Sequence, residues 1–135
     1  MRAGQAATVS PSIQGQGLQP LLQAGLARHP GLQMLLVSGS DGRTLGFESS
    51  RLQADPRRIS AMGNSFLTLG ETLARELGLS LASHVTLSTG QGNMVLVRVA
   101  GPAACTLAAL ADDHVPLAML LYVARDCAGQ VAAAL

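Results

Sequence analysis

Three histidines, two cysteines and several serines are the side chains with which this chain could attack, ligate or move a proton. Ser38 and Ser40 lie in a turn, Ser38-Gly39-Ser40-Asp41-Gly42, where hydroxyls commonly satisfy local backbone amides. No G-x-S-x-G elbow surrounds any serine, so an exposed, activated nucleophile has no scaffold. His29, His84 and His114 are far apart and show no i, i+4 pairing, so they do not read as metal ligands. Cys127 falls on an apolar helical stripe, where a thiol stays neutral and inert. Asp112 and Asp113 are adjacent and point apart, which suits a helix cap better than an acid/base pair. Glu71 and Arg75, with Glu76 nearby, read as a solvated helix face. A Walker loop needs a lysine, and this chain has none. Gly90-Gln91-Gly92-Asn93 lacks the third glycine of a dinucleotide fingerprint and joins two strands, so it reads as a turn. No catalytic residue, cofactor or metal is therefore assigned, and the chain is not read as an enzyme.

The elements that would carry these residues are easier to place. Residues 1–17 are rich in Gly, Gln, Ala and Ser and read as a flexible tail ahead of one domain, residues 18–135. Leu18, Leu21, Leu22 and Leu26 fall at helical spacing up to Arg28, and His29-Pro30-Gly31 stops that helix. Leu32 to Ser38, a Gly-Ser-Asp-Gly turn and Arg43 to Glu48 form a hairpin. Its first strand should be covered on both faces and its second should lie at an edge, with Leu45 and Phe47 on one face. A long helix follows from Asp55, the N-cap, to Leu77, with Pro56 in its first position and Gly78 as its stop.

That helix carries two stripes. Ile59, Met62, Phe66, Leu69, Leu73 and Leu77 are large and suit burial against the sheet. Ser60, Gly63, Leu67, Gly70 and Ala74 are small except for Leu67. Two glycines inside a helix cost about 1 kcal/mol each relative to alanine, a cost that close approach of another backbone would offset. Strands at His84 to Ser88, Met94 to Val99 and Ala104 to Ala111 follow, then a last helix capped by Asp112 or Asp113 with Pro116 in its first turn. Helix, two strands, long helix, three strands, helix is the order of an antiparallel α+β sandwich.

Composition narrows the function. With 9 basic against 8 acidic residues the chain has no surplus of positive charge for nucleic acid. Aromatic residues are 2% of the chain, too few for base stacking. The most apolar run, Val115 to Ala124, is shorter than the roughly 20 residues of a membrane span, so no membrane insertion is expected. No secretory leader is apparent, and two cysteines make no disulfide framework; a cytoplasmic location with free thiols is expected, and a Cys105–Cys127 bridge stays open.

LLVSGSDGRTLGFES, DPRRISAMGNSFLTLGETLARELG, HVTLSTGQGNMVLVRVAG and ACTLAALADDHVPLAMLLYVARD together resemble the Roadblock family, related to a dynein light chain. The resemblance spans roughly Leu18 to Leu135. It implies a five-stranded antiparallel sheet with the long helix on one face and the other two helices on the opposite face. It also implies a homodimer in which long helices pair and sheets join through the strand His84 to Ser88. Bacterial relatives regulate Ras-like small GTPases by docking, possible stimulation of hydrolysis included, which makes a bacterial regulator or scaffold the expected function. On that basis Ser60, Gly63, Leu67, Gly70, Ala74, His84 and Thr86 are expected in the dimer interface. Arg57, Asn64, Thr68, Glu71 and Arg75 share the remaining face of the long helix and are expected to dock the GTPase. A small-molecule sensor of PAS or GAF type is the alternative; it would need a cavity ringed by polar and aromatic groups.

Overall fold

The computed structural model describes residues 17–50 and 55–135; the expected N-terminal tail lies almost wholly outside them. The elements are α1 (Leu18–Arg28), β1 (Leu32–Ser38), β2 (Thr44–Ser49), α2 (Pro56–Glu76), β3 (His84–Thr89), β4 (Gly92–Arg98), β5 (Thr106–Asp112) and α3 (Leu117–Ala134). One antiparallel sheet has the order β2-β1-β5-β4-β3. This is the α+β arrangement expected, with β1 interior and β2 at an edge.

Strand alternation divides the core in two. Leu35, Val37, Val95, Val97, Leu107 and Ala109 face α1 and α3, where Leu18, Leu22, Leu120, Ala124 and Cys127 complete the larger cluster. The opposite parity places Met34, Leu36, Leu96 and Ala108 toward α2, with Phe47, Ile59, Val85, Met94 and Leu110 around them. Both cysteines are free and buried, and burial pushes both thiols up from their ordinary range.

Two local expectations need correction. Leu45 and Phe47 do not share a face: the β1–β2 register shifts at Val37/Ser38, so Leu45 joins the α1/α3 cluster while Phe47 joins the α2 side. Neither aspartate caps α3, whose N-cap is Pro116 with no side-chain bond; Asp112 Oδ1 instead accepts from the His114 backbone N–H at 2.9 Å. Helix α3 runs 18 residues and is, by length and composition, apolar enough to cross a membrane. Leu120, Val123, Ala124, Cys127, Ala128 and Val131 are buried, so the sheet accounts for its apolar side.

The long helix starts and stops on local chemistry. The Asp55 carboxylate accepts from the Arg57 backbone N–H at 3.0 Å, and Pro56 occupies a position whose N–H would have no helical partner. At the other end Gly78 takes φ +71°. Its N–H bonds to Arg75 C=O at 3.0 Å and the Leu79 N–H to Ala74 C=O at 2.9 Å, the pair of bonds that defines a Schellman stop.

Candidate docking surface

Strand register arranges the α2-facing side of the sheet into three rows. Met34, Leu110, Met94 and Leu87 are mutual partners across β1, β5, β4 and β3 and make the first row. Phe47, Leu36, Ala108, Leu96 and Val85 make the second. Thr44, Ser38, Thr106 and Arg98 make the third, which is polar.

Helix α2 lies across the second and third rows. Ser60 Oγ meets Thr44 Oγ1 of β2 at 2.8 Å, a buried hydroxyl pair. A Cβ on Gly63 would stand 2.8 Å from Leu96 Cδ2 of β4, and one on Gly70 would stand 2.5 Å from Val85 Cγ1 of β3. The helix therefore runs from the β2 edge to the β3 edge and sits too close to the sheet for larger groups at these positions. Leu67, wholly buried, completes that contact line. After Gly70 six more residues carry α2 about 9 Å further.

This placement gives the small stripe a neighbour within the chain. Ser60, Gly63, Leu67 and Gly70 pack on the chain's own sheet, with Ala74 half-buried on the same side. The close backbone approach that the glycines permit is made to β3 and β4 of the same chain. The large stripe points the other way: Met62, Phe66, Leu69, Leu73 and Leu77 are all exposed, Leu69 by 67% and Leu73 by 57%. Only Ile59 of that stripe is half-buried.

The expected docking face is also split. Arg98, unremarked in the sequence because it ends an otherwise apolar strand, gathers three of its five residues. Its Nε and Nη2 donate to the Glu71 carboxylate at 3.0 and 2.8 Å. Nη1 donates to Thr106 Oγ1 at 3.0 Å and to Asn64 Oδ1 at 3.5 Å, while Nη2 reaches Thr68 Oγ1 at 3.4 Å. The hydrogen bond from Arg98 holds the Glu71 carboxyl below its usual range, opposed by burial and aided by the charges of Arg98 and Arg75. Asn64 also donates to Ser40 C=O at 3.1 Å. Asn64, Thr68 and Glu71 are thus occupied in fastening α2 to the third row. Arg57, paired with Asp55 at 3.7 Å, and Arg75, donating to Thr72 Oγ1 at 3.2 Å, are exposed.

His84 and Thr86 lie half-buried on β3, on the face toward α3, where Arg125 Nη2 approaches His84 Nδ1 at 3.3 Å. β3 is an edge strand carrying neither an acidic or basic residue other than His84 nor a proline, so little discourages another strand from pairing with it. The opposite edge is different: β2 carries Glu48, and Gln19 of α1 donates to Phe47 C=O at 3.0 Å and to Glu48 Oε1 at 2.9 Å.

Alongside α2, the first row stays open. A groove of about 380 Å³ runs between Met34, Met94, Leu110 and Leu87 below and Ile59, Met62 and Phe66 above. Its walls supply no charged side chain to orient a polar ligand. Elsewhere the β5–α3 turn brings Asp112, Asp113 and His114 together, with His114 Nδ1 at 3.1 Å from Asp113 Oδ1. They are sequence neighbours, Asp113 and His114 are exposed, and the contacts among them close the turn.

These features define a domain of the Roadblock/LC7 fold: a five-stranded sheet, one long helix alone on one face, and an uncovered apolar surface beside it. Among solved structures, MglB of Myxococcus xanthus superposes with a TM-score of 0.78 at 8% identity, covering 93% of this chain and 92% of that one. An MglB described as having a tetrameric arrangement gives 0.76 at 14% identity, covering 99% and 96%. A Roadblock/LC7 domain from Streptomyces avermitilis gives 0.73 at 16% identity, covering 84% and 92%. No protein-family model matches the sequence, and no curated protein matches it significantly. The likeness is one of fold.

Proposed function

We propose that this chain is a homodimeric, non-enzymatic docking protein of the MglB kind that regulates or scaffolds a Ras-like small GTPase in a bacterial cytoplasm. The observation that carries the reading is the uncovered apolar face of α2 beside the open edge of β3. Contiguous exposed apolar surface on this scale is characteristic of protein–protein contact. Chemistry would need a nucleophile with a base that a third group orients in a cleft; Ser83 Oγ, 3.1 Å from His84 Nδ1, and His114, 3.1 Å from Asp113 Oδ1, are exposed pairs of sequence neighbours, and both thiols are buried. The GTPase as partner follows from the Roadblock resemblance and the likeness to MglB, one example of which is described as a tetramer.

With Asn64, Thr68 and Glu71 engaged by Arg98, the docking contact on α2 narrows to Arg57 and Arg75. The test is titration calorimetry with the Ras-like GTPase of the same genome, comparing wild type with the Arg57→Glu/Arg75→Glu variant. Affinity should fall about tenfold or more while the melting temperature holds within about 2 °C, because exposed substitutions change stability by about 0.5 kcal/mol or less. Equal affinity would remove these arginines from the contact, and no binding by wild type would remove the GTPase.

A further inference from the structure

We propose that a cavity between the end of α1 and the start of α3 binds a small uncharged molecule with an apolar body and one hydrogen-bonding group. His29 Nε2 would hold that group. The cavity lies on the face of the sheet opposite α2, so its failure as a site would leave the docking reading untouched.

The cavity measures about 220 Å³. Leu32, Leu120 and Val123, all buried, form its floor, while Pro30 and Met119 are exposed at its mouth. An apolar cavity of about 150 Å³ already admits benzene, so this one has room for a single ring with a substituent or two. Two tight turns make its walls. In the first, the Leu32 N–H donates to His29 C=O at 3.0 Å, and Gly31 takes φ +91°, which glycine adopts without strain. In the second, the Val115 N–H donates to Asp112 C=O at 3.3 Å and the Leu120 N–H to Pro116 C=O at 3.0 Å. The Asp112 N–H donates to Gly31 C=O at 3.0 Å and ties the two turns together. Backbone bonds therefore fix the site before a ligand enters it, as in most small-molecule pockets.

His29 is the one lining residue whose side chain carries nitrogen or oxygen. Its Nε2 is buried and has no hydrogen-bonding partner among the described residues. Buried polar atoms are paired in the great majority of cases, so an unpaired one in the wall of a cavity points to a group that enters from outside. The larger groove beside α2 presents no such atom. No aspartate, glutamate or arginine lines the cavity at His29, so an ionised ligand would lose its hydration without an opposite charge to replace it. A hydroxyl, which can donate or accept, suits a single imidazole nitrogen in either tautomer.

The experiment is an NMR titration of the full chain with 4-methylphenol and, separately, with 1,4-dimethylbenzene, which has the same shape and lacks the hydroxyl. 4-Methylphenol should saturably shift the methyl resonances of Val115, Leu120 and Val123 and move the His29 Nε2 resonance; 1,4-dimethylbenzene should leave Nε2 where it is. His29→Phe should weaken 4-methylphenol about fivefold relative to 1,4-dimethylbenzene, the effect of one hydrogen bond. An unchanged ratio of the two affinities overturns the proposal. So does an unmoved Nε2 resonance in wild type, a reading that needs no variant to fold. Absence of any saturable shift by 4-methylphenol overturns the site itself and leaves Nε2 to water.

Discussion

Replacing a helical glycine by alanine normally stabilises a protein, and at three of the four glycines in the described helices, Gly63, Gly70 and Gly129, the same substitution should give three different results. The intrinsic gain is about 1 kcal/mol per site, because alanine loses less backbone freedom on folding. At Gly129, on the exposed side of α3, an added Cβ would meet nothing within 4 Å, so the gain is realised in full. For a domain of this size that corresponds to a melting temperature about 4 °C higher. At Gly63 the new carbon would stand 2.8 Å from Leu96 Cδ2, the far end of a flexible side chain that can turn aside. Gain and strain should nearly cancel. At Gly70 the neighbour is Val85 Cγ1 at 2.5 Å, on a β-branched residue with little rotamer freedom. Overpacking of this kind costs about 1–3 kcal/mol, which reverses the sign and leaves a net loss of about 1 kcal/mol. Thermal melts followed by circular dichroism at one fixed protein concentration would read all three. A Gly70→Ala protein that melts as high as Gly129→Ala would refute the claim that α2 presses its glycine stripe onto its own sheet.

The remaining predictions concern the Arg98 cluster, the buried hydroxyl pair and turnover. Arg98→Met should destabilise by about 1–2 kcal/mol in urea unfolding, less than the 3–5 kcal/mol of a fully buried pair, because Arg98 is 34% exposed. Since Glu71 titrates below its ordinary value of 4.5 in the folded chain, its contribution is complete above that value and lost as pH falls through the lower folded one. Wild type should therefore lose its advantage over Arg98→Met on acidification below about pH 4.5, and an advantage unchanged at pH 3 would argue against the pairing. Thr44→Val should cost about 1–3 kcal/mol by leaving Ser60 Oγ buried opposite a methyl group, and a neutral result would argue against that contact. Purified protein should release no phosphate from GTP; activity that follows the protein through repurification would overturn the non-enzyme reading.

Much of the fold was legible because its signals are local. Asp55-Pro56 and Gly78 bound α2 through capping and backbone geometry that depend on few neighbours, and β1 read as interior from apolar residues at both parities. What misled was identity of face. Both stripes of α2 are compatible with helical periodicity, and size alone pointed the larger stripe inward. Which side approaches the sheet depends on Leu96 and Val85, contributed by strands more than ten residues away. Arg98 was missed for the same reason: its role exists only once α2 is laid across β4. Leu45 and Phe47 failed through a bulge, an irregularity in pairing that alternation within one strand does not report.

The inverted helix carries a consequence of its own. A chain that had only its own sheet to cover would set leucines inward, where each buried side chain contributes about 1.5–3 kcal/mol, and leave serine and glycine to solvent. Here the inward side is small, so that α2 lies low over the second row. The large side chains are thereby held outward on a rigid rod, next to an uncovered row of the sheet. Seating the helix this low gives up burial within the single chain and places the same groups where only another molecule can bury them. The stability lost inside the protomer is thus available to association with another molecule.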